Sequence, residues 1–233
     1  MKTRKRIGII GGMGPDASVR LYKIMIDSAR SKYGAKENQD YPDILLHSVP
    51  VPDFISDQKR MSEALGMLKT STRQLGSVCG ILGMACNTAH ILLDALRSQT
   101  ATPFLSMVGL TASASANGGY KKIGLLATPT TFRSRLYQSA LREKGIEIIT
   151  PSADQIDQLG GIVDAILAGD FSRTRRQLTA IADGLVERGA EAIILGCTEL
   201  PLVFPEKYQV PVISSLAVLA DALLEEYYRS GRN

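Results

Sequence analysis

Two rhythms of apolar and polar residues alternate along this chain. Short apolar runs with little or no polar interruption recur at 6–12 ("RIGIIGG"), 43–49 ("DILLHSV"), 80–85 ("GILGMA") and 103–108 ("PFLSMV"). They recur again at 122–128, 147–151, 192–196 and 210–215. Their branched residues and short length predict buried strands. Between them, apolar residues spaced three and four apart predict helices over 15–34, 59–77, 87–99, 132–145, 156–170 and 172–189, with a final amphipathic helix after 215. Pro15 suits the first turn of the first helix. Strands that alternate with helices predict an α/β fold of parallel sheets covered on both faces.

The pattern restarts in mid-chain. "RIGIIGGMGPDASVRLY" (6–22) lies over "KIGLLATPTTFRSRLY" (122–137): both open on a basic residue and Ile-Gly, and both close on Arg-Leu-Tyr. The Arg-Leu-Tyr segments begin at 20 and 135, and two cysteines stand at 86 and 197, offsets of 115 and 111. Two divergent copies of one unit are predicted, a first lobe of 1–107 with 212–233 and a second of 108–211. Each copy carries one cysteine in a matching setting, "GMACNTAH" (83–90) and "ILGCTEL" (194–200).

Composition narrows the functional classes. The net charge of +4 comes partly from "MKTRKR" at the N-terminus and "RTRR" at 173–176. No aromatic or helix-turn-helix pattern accompanies these runs, so they read as solvated faces and no nucleic-acid partner is expected. No apolar run reaches the ~18 residues that cross a bilayer, and "IGII" is interrupted at once by "GGMGP". Neither a membrane association nor a signal peptide is expected. Three cysteines in a chain of this length form no disulfide framework, which points to a reducing, cytoplasmic setting with free thiols.

Cys86 and Cys197 each follow a predicted strand and open a predicted helix. Open parallel sheets bind ligands at that edge, and a helix N-terminus favours a thiolate. An unperturbed thiol is only about 3% ionised at pH 7, so such help matters. Asn87 and Thr88 in one copy, and Thr198 and Glu199 in the other, can cap the helix or bind a ligand. Cys79 has no polar followers and reads as a small buried apolar residue. Cys86 and His90 are spaced i, i+4, but two histidines and no Cys-x-x-Cys make a metal site a poor reading, and His90 reads as a helix residue beside the site. "GGMGP" (11–15) gives a turn whose N–H groups can meet a carboxylate; its spacing is not that of a dinucleotide fingerprint. In the counterpart "ATPTT" (127–131), Thr128 directly follows the strand. Two lobes that hold thiols on opposite sides of one molecule suit stereoinversion, in which one thiolate removes a Cα proton and the opposite thiol returns one.

At "IGIIGGMGP", "ACNTAH" and "GCTE" the sequence resembles the aspartate/glutamate racemase family of cofactor-independent enzymes, over almost the whole chain. The resemblance implies two pseudo-symmetric flavodoxin-like lobes with the site in the cleft between them, an amino-acid substrate, no cofactor, and frequent homodimers. It implies catalysis by Cys86 and Cys197, with substrate contacts from Met13, Asn87, Thr88, Thr128 and Thr198. Three positions depart from the acidic-substrate pattern: Phe54 where Arg often follows Pro-Asp, Leu167 where Lys often precedes Ala-Gly, and Ser214 where Asp often follows "PVI". Without those cations a buried side-chain carboxylate is poorly compensated, unless Arg60 or another basic residue replaces them. The substrate range stays open between aspartate or glutamate and a broader set that includes neutral amino acids. Related folds also include decarboxylases and cis–trans isomerases, and the decarboxylases typically keep one of the two cysteines. A non-catalytic amino-acid-binding protein has no need of both.

Overall fold

The computed structural model describes residues 6–54, 58–171 and 173–230; the first five residues of the basic N-terminal run lie outside them. The chain divides into two compact units, one of Met1–Met107 with Leu216–Asn233 and one of Val108–Ser215.

In the first unit, β1 (Ile7–Gly11), β2 (Ile44–Ser48) and β3 (Ile81–Met84) form a parallel sheet in the order β2-β1-β3. Every residue of β1 and β3 is buried, as expected for strands covered on both faces. Helix α1 (Pro15–Tyr33) opens on Pro15 and ends at Gly34, whose φ of 72° suits a left-handed cap. Its buried positions, Ala17, Leu21, Met25 and Ala29, recur every four residues. Helix α2 (Met61–Val78) follows β2, and a 3-10 helix (Thr88–Leu92) leading into α3 (Leu93–Arg97) follows β3. The expected strand at 103–108 shrinks to a single parallel bridge between Phe104 and Leu82. The chain turns at Met107 into a helix, α4 (Met107–Asn117), that periodicity did not announce. The late helix α9 (Ser215–Ser230) packs on β3: a Cβ on Gly83 would stand 3.0 Å from Leu223.

The second unit repeats the plan. Strands β4 (Lys122–Leu126), β5 (Glu147–Ile149), β6 (Ala192–Leu195) and β7 (Val212–Ser214) form a parallel sheet in the order β5-β4-β6-β7. Because β7 bonds to β6, residues 212–215 belong to this unit and not, as expected, to the first. Where α1 is one continuous helix, its counterpart breaks at Arg135 (φ 56°) into α5 (Pro129–Arg133) and α6 (Leu136–Arg142). The shared Arg-Leu-Tyr therefore sits differently in the two copies: Tyr22 is exposed and Tyr137 fully buried. Helix α7 (Ala153–Leu167) starts from a reciprocal cap in which Ser152 and Gln155 bond each other's backbone N–H. Helix α8 (Thr174–Glu187) buries Leu178, Ile181 and Leu185 and leaves Arg175 and Arg176 exposed; Arg173, at its N-cap, is exposed too. The "RTRR" run is thus a solvated face.

Candidate active site

In each unit two paired parallel strands, β1 with β3 and β4 with β6, end side by side, and a cysteine follows the second of each pair. Ala85 donates its N–H to the Ile10 carbonyl at 2.9 Å in the first unit; Gly196 donates to Leu126 at 2.7 Å in the second. These equivalent bonds tie the residue before each cysteine to the neighbouring strand end. Gly196 is close-packed, since a Cβ there would stand 3.1 Å from the Tyr137 ring and 3.2 Å from a backbone oxygen. All three cysteines are buried, and none is in a disulfide.

In the first unit, Met13, Cys86, Asn87 and Thr88 gather at the carboxyl edge of β1 and β3, all buried. Met13, Val49, Phe54 and Cys86 belong to one buried apolar cluster. The turn after β1 depends on Gly12: its φ is +94°, and a Cβ would fall 2.3 Å from the Val49 carbonyl oxygen. The Gly12 N–H, expected to be available to a carboxylate, is donated to Ser18 Oγ at 3.0 Å.

His90 acts as a brace. Its ring is 5% exposed; Nδ1 lies 2.7 Å from the Cys86 carbonyl oxygen, and Nε2 accepts the Met107 N–H at 3.0 Å. That pair of bonds fixes the tautomer with the proton on Nδ1. Burial lowers the pKa of His90 to about 4, against the opposing effect of the Cys86 carbonyl bond. Both ring nitrogens are occupied and the ring is neutral, so His90 supplies no base at neutral pH. The i, i+4 spacing with Cys86 serves the cysteine's backbone and not its sulfur.

The second unit brings Thr128, Cys197 and Thr198 to the carboxyl edge of β4 and β6, all buried. Thr128 caps α5 by accepting the Thr131 N–H at 3.2 Å and donates its own hydroxyl to Thr131 Oγ1 at 3.0 Å. Glu199, 5% exposed, turns its carboxylate onto the cysteine: Cys197 Sγ donates to Oε2 at 3.0 Å, and Thr198 Oγ1 donates to the same oxygen at 2.9 Å. Sequence reasoning gave Glu199 only a capping or ligand role. A carboxylate two residues after a cysteine was the available signal. Behind the cysteine stands Tyr137, whose hydroxyl bonds Thr111 and Ser215; burial drives that phenol's pKa above its usual range.

Neither cysteine opens an α-helix, contrary to expectation. Cys86 precedes the five-residue 3-10 helix Thr88–Leu92 and Cys197 the three-residue 3-10 helix Leu200–Leu202, with no side-chain cap on either. One tight turn has little macrodipole with which to lower a thiol pKa. Cys79 caps α2, and its thiol pKa is raised by burial, eased by Arg6 and reinforced by Asp43. Of the substrate-pattern departures, Phe54 is buried, Leu167 is 54% exposed at the last turn of α7, and Ser214 ends β7; Arg60 is exposed at the start of α2. Among the described residues, no group of three or more His, Cys, Asp or Glu side chains is placed to hold a metal ion. No helix among them is long and apolar enough to cross a membrane.

Fold and site together define a duplicated parallel α/β protein that carries a buried thiol at the carboxyl edge of each sheet, the edge at which open parallel sheets place their ligands. Residues 10–223 match the Asp/Glu/hydantoin racemase family. The broad specificity amino-acid racemase RacX of Bacillus subtilis (strain 168) is 27% identical over 227 residues, covering 95% of this chain and 97% of the relative. The aspartate racemase of Picrophilus torridus superposes with a TM-score of 0.82 at 31% identity, covering 98% of this chain and 95% of that one. An aspartate racemase homologue from Pyrococcus horikoshii OT3 gives 0.81 at 28% identity, covering 96% and 99%. The chain belongs to the Asp/Glu/hydantoin racemase family.

Proposed function

We propose that this member of the amino-acid racemases inverts Cα of an amino acid with Cys86 and Cys197 as its acid and base, without pyridoxal phosphate or a metal. One sulfur takes the Cα proton from one face. The other delivers a proton to the opposite face of the planar carbanion, whose charge spreads into the substrate carboxylate. The observation that carries this reading is the duplication of the thiol, with one cysteine after β3 in the first sheet and one after β6 in the second, and the same backbone bond before each. A decarboxylase or a binding protein has no use for the second thiol. Met13, Asn87, Thr88, Thr128 and Thr198 are the substrate-binding residues of this proposal, because each is buried at the same sheet edge as its cysteine. Amino acids with neutral side chains belong in the substrate range alongside aspartate and glutamate, since Phe54 shares the apolar cluster of Cys86 and brings no charge.

The deciding experiment incubates dialysed protein, with chelator present, with single enantiomers of a panel of amino acids in D₂O. Loss of optical rotation with deuterium at Cα is the expected result. A decarboxylated or isomerised product, binding without exchange, or strict dependence on pyridoxal phosphate or a metal would overturn the reading. A cytoplasmic location and a homodimer belong to the same proposal and are tested by fractionation and by sedimentation.

A further inference from the structure

The two copies of the cysteine motif differ at one informative place. Two residues after the cysteine stands Thr88 in the first unit and Glu199 in the second. The Glu199 carboxylate is buried, and its Oε2 receives both the Cys197 thiol at 3.0 Å and the Thr198 hydroxyl at 2.9 Å. Thr198 thereby fixes the carboxylate where the sulfur meets it. A carboxylate facing a thiol accepts a hydrogen bond from its S–H and repels a thiolate, so both effects favour the protonated sulfur.

Resting on the racemase reading above, we propose that Glu199 is a positioning residue that keeps Cys197 protonated, making Cys197 the proton donor of the resting enzyme and leaving the base to Cys86. In turnover the Cα–H bond breaks toward the Cys86 sulfur, which gains that proton. The Cys197 S–H bond breaks as its proton goes to the opposite face of Cα, and the electron pair stays on sulfur. This leaves a thiolate and a carboxylate side by side. Their repulsion drives the reset, in which Cys197 regains a proton from solvent while Cys86 loses one, so proton and charge counts return to the start. Tyr137 of α6, which interacts with this thiol, is itself held protonated by burial.

The test reads each thiol separately. Wild type, Glu199→Gln and Glu199→Asp are alkylated with iodoacetamide across a pH series, and each cysteine is quantified by mass spectrometry. Removing the charge should lower the alkylation midpoint of Cys197 by about one pH unit or more. The midpoints of Cys86 and Cys79 should stay in place, and Asp should restore part of the wild-type value. An unmoved Cys197 midpoint, or equal shifts at all three cysteines, would overturn the proposal. Should Glu199→Gln fail to fold, thiolate absorbance of Cys79→Ser/Cys86→Ser is compared with that of Cys79→Ser/Cys197→Ser. Cys197 should ionise at the higher pH, and the reverse order refutes the assignment. Racemisation with an unmoved Cys197 midpoint would sink the Glu199 role alone. A moved midpoint in a protein that racemises nothing would sink the racemase reading and leave the thiol–carboxylate pairing intact.

Discussion

Acidification should destabilise this protein through His90, by an amount its burial fixes. The ring is neutral in the folded chain with a pKa of about 4, against 6.5 when unfolded. Between those values the unfolded state binds the extra proton, so stability falls as pH drops through the window and is fully retained above it. The shift corresponds to roughly 3 kcal/mol at its limit below pH 4, and to about 2 kcal/mol lost between about pH 7.5 and 5. Other groups titrate too, so the assay is differential: urea unfolding of wild type and His90→Gln at both pH values. The Gln variant keeps an acceptor for the Met107 N–H but weakens the tie to the Cys86 carbonyl, at about 1 kcal/mol at neutral pH. Wild type should lose about 2 kcal/mol more than the variant on acidification. With only two histidines in the chain, imidazole NMR follows His90 directly, using His47→Asn for assignment. A His90 that protonates at or above pH 6, or two proteins that lose stability in parallel, would refute the brace.

Three further outcomes are expected. Cys86→Ser and Cys197→Ser should each cut racemisation toward the upper end of the 10²–10⁴-fold typical of general acid–base steps, while Cys79→Ser stays near wild type; a site variant that keeps more than about a tenth of the rate rules out two-thiol chemistry. In competition assays neutral amino acids should reduce aspartate turnover, and Phe54→Arg should destabilise the fold by several kcal/mol because it buries a charge in the Cys86 cluster; a stable Arg variant with a new dicarboxylate preference would show that Phe54 faces substrate. Gly12→Ala should cost about 3 kcal/mol from positive φ plus the clash with the Val49 carbonyl, whereas Gly34→Ala, with φ +72° and nothing within 4 Å, should cost about 1 kcal/mol; equal urea midpoints for the two would contradict that geometry.

Strands β1, β3, β4 and β6 were legible because they are short apolar runs buried along nearly their whole length, a pattern that parallel sheets require. Helix α4 was not, since "MVGLTASASAN" mixes small residues with no polar face to set a period. The strand expected at 103–108 is reduced to a bridge, and the helix expected over 87–99 forms as a 3-10 turn leading into the short α3, for a related reason. An apolar run records burial, while the turn at Met107 and the 3-10 geometry of Thr88–Leu92 are set by tertiary bonds such as the one from the Met107 N–H to His90. The cysteines themselves stood out through the repeat. Their surroundings did not, because a hydrogen bond to a side chain two residues away depends on backbone direction that spacing leaves open.

Duplication produced two matching thiol positions and then supported them by different means. In the first unit a neutral imidazole clamps the cysteine's own carbonyl to the backbone at Met107, so support reaches Cys86 through the main chain. In the second unit Glu199 meets the sulfur itself, with Tyr137 packed beneath Gly196. The proposed two-thiol step needs one sulfur charged and the other protonated at the same moment, and two identical environments would leave that choice to chance. In that proposal the carboxylate beside one sulfur, where a threonine stands two residues after the other, biases the choice before substrate arrives. Near-symmetry of the fold places two thiols in equivalent positions, and the exchange of Thr88 for Glu199 gives the second one a carboxylate for a neighbour.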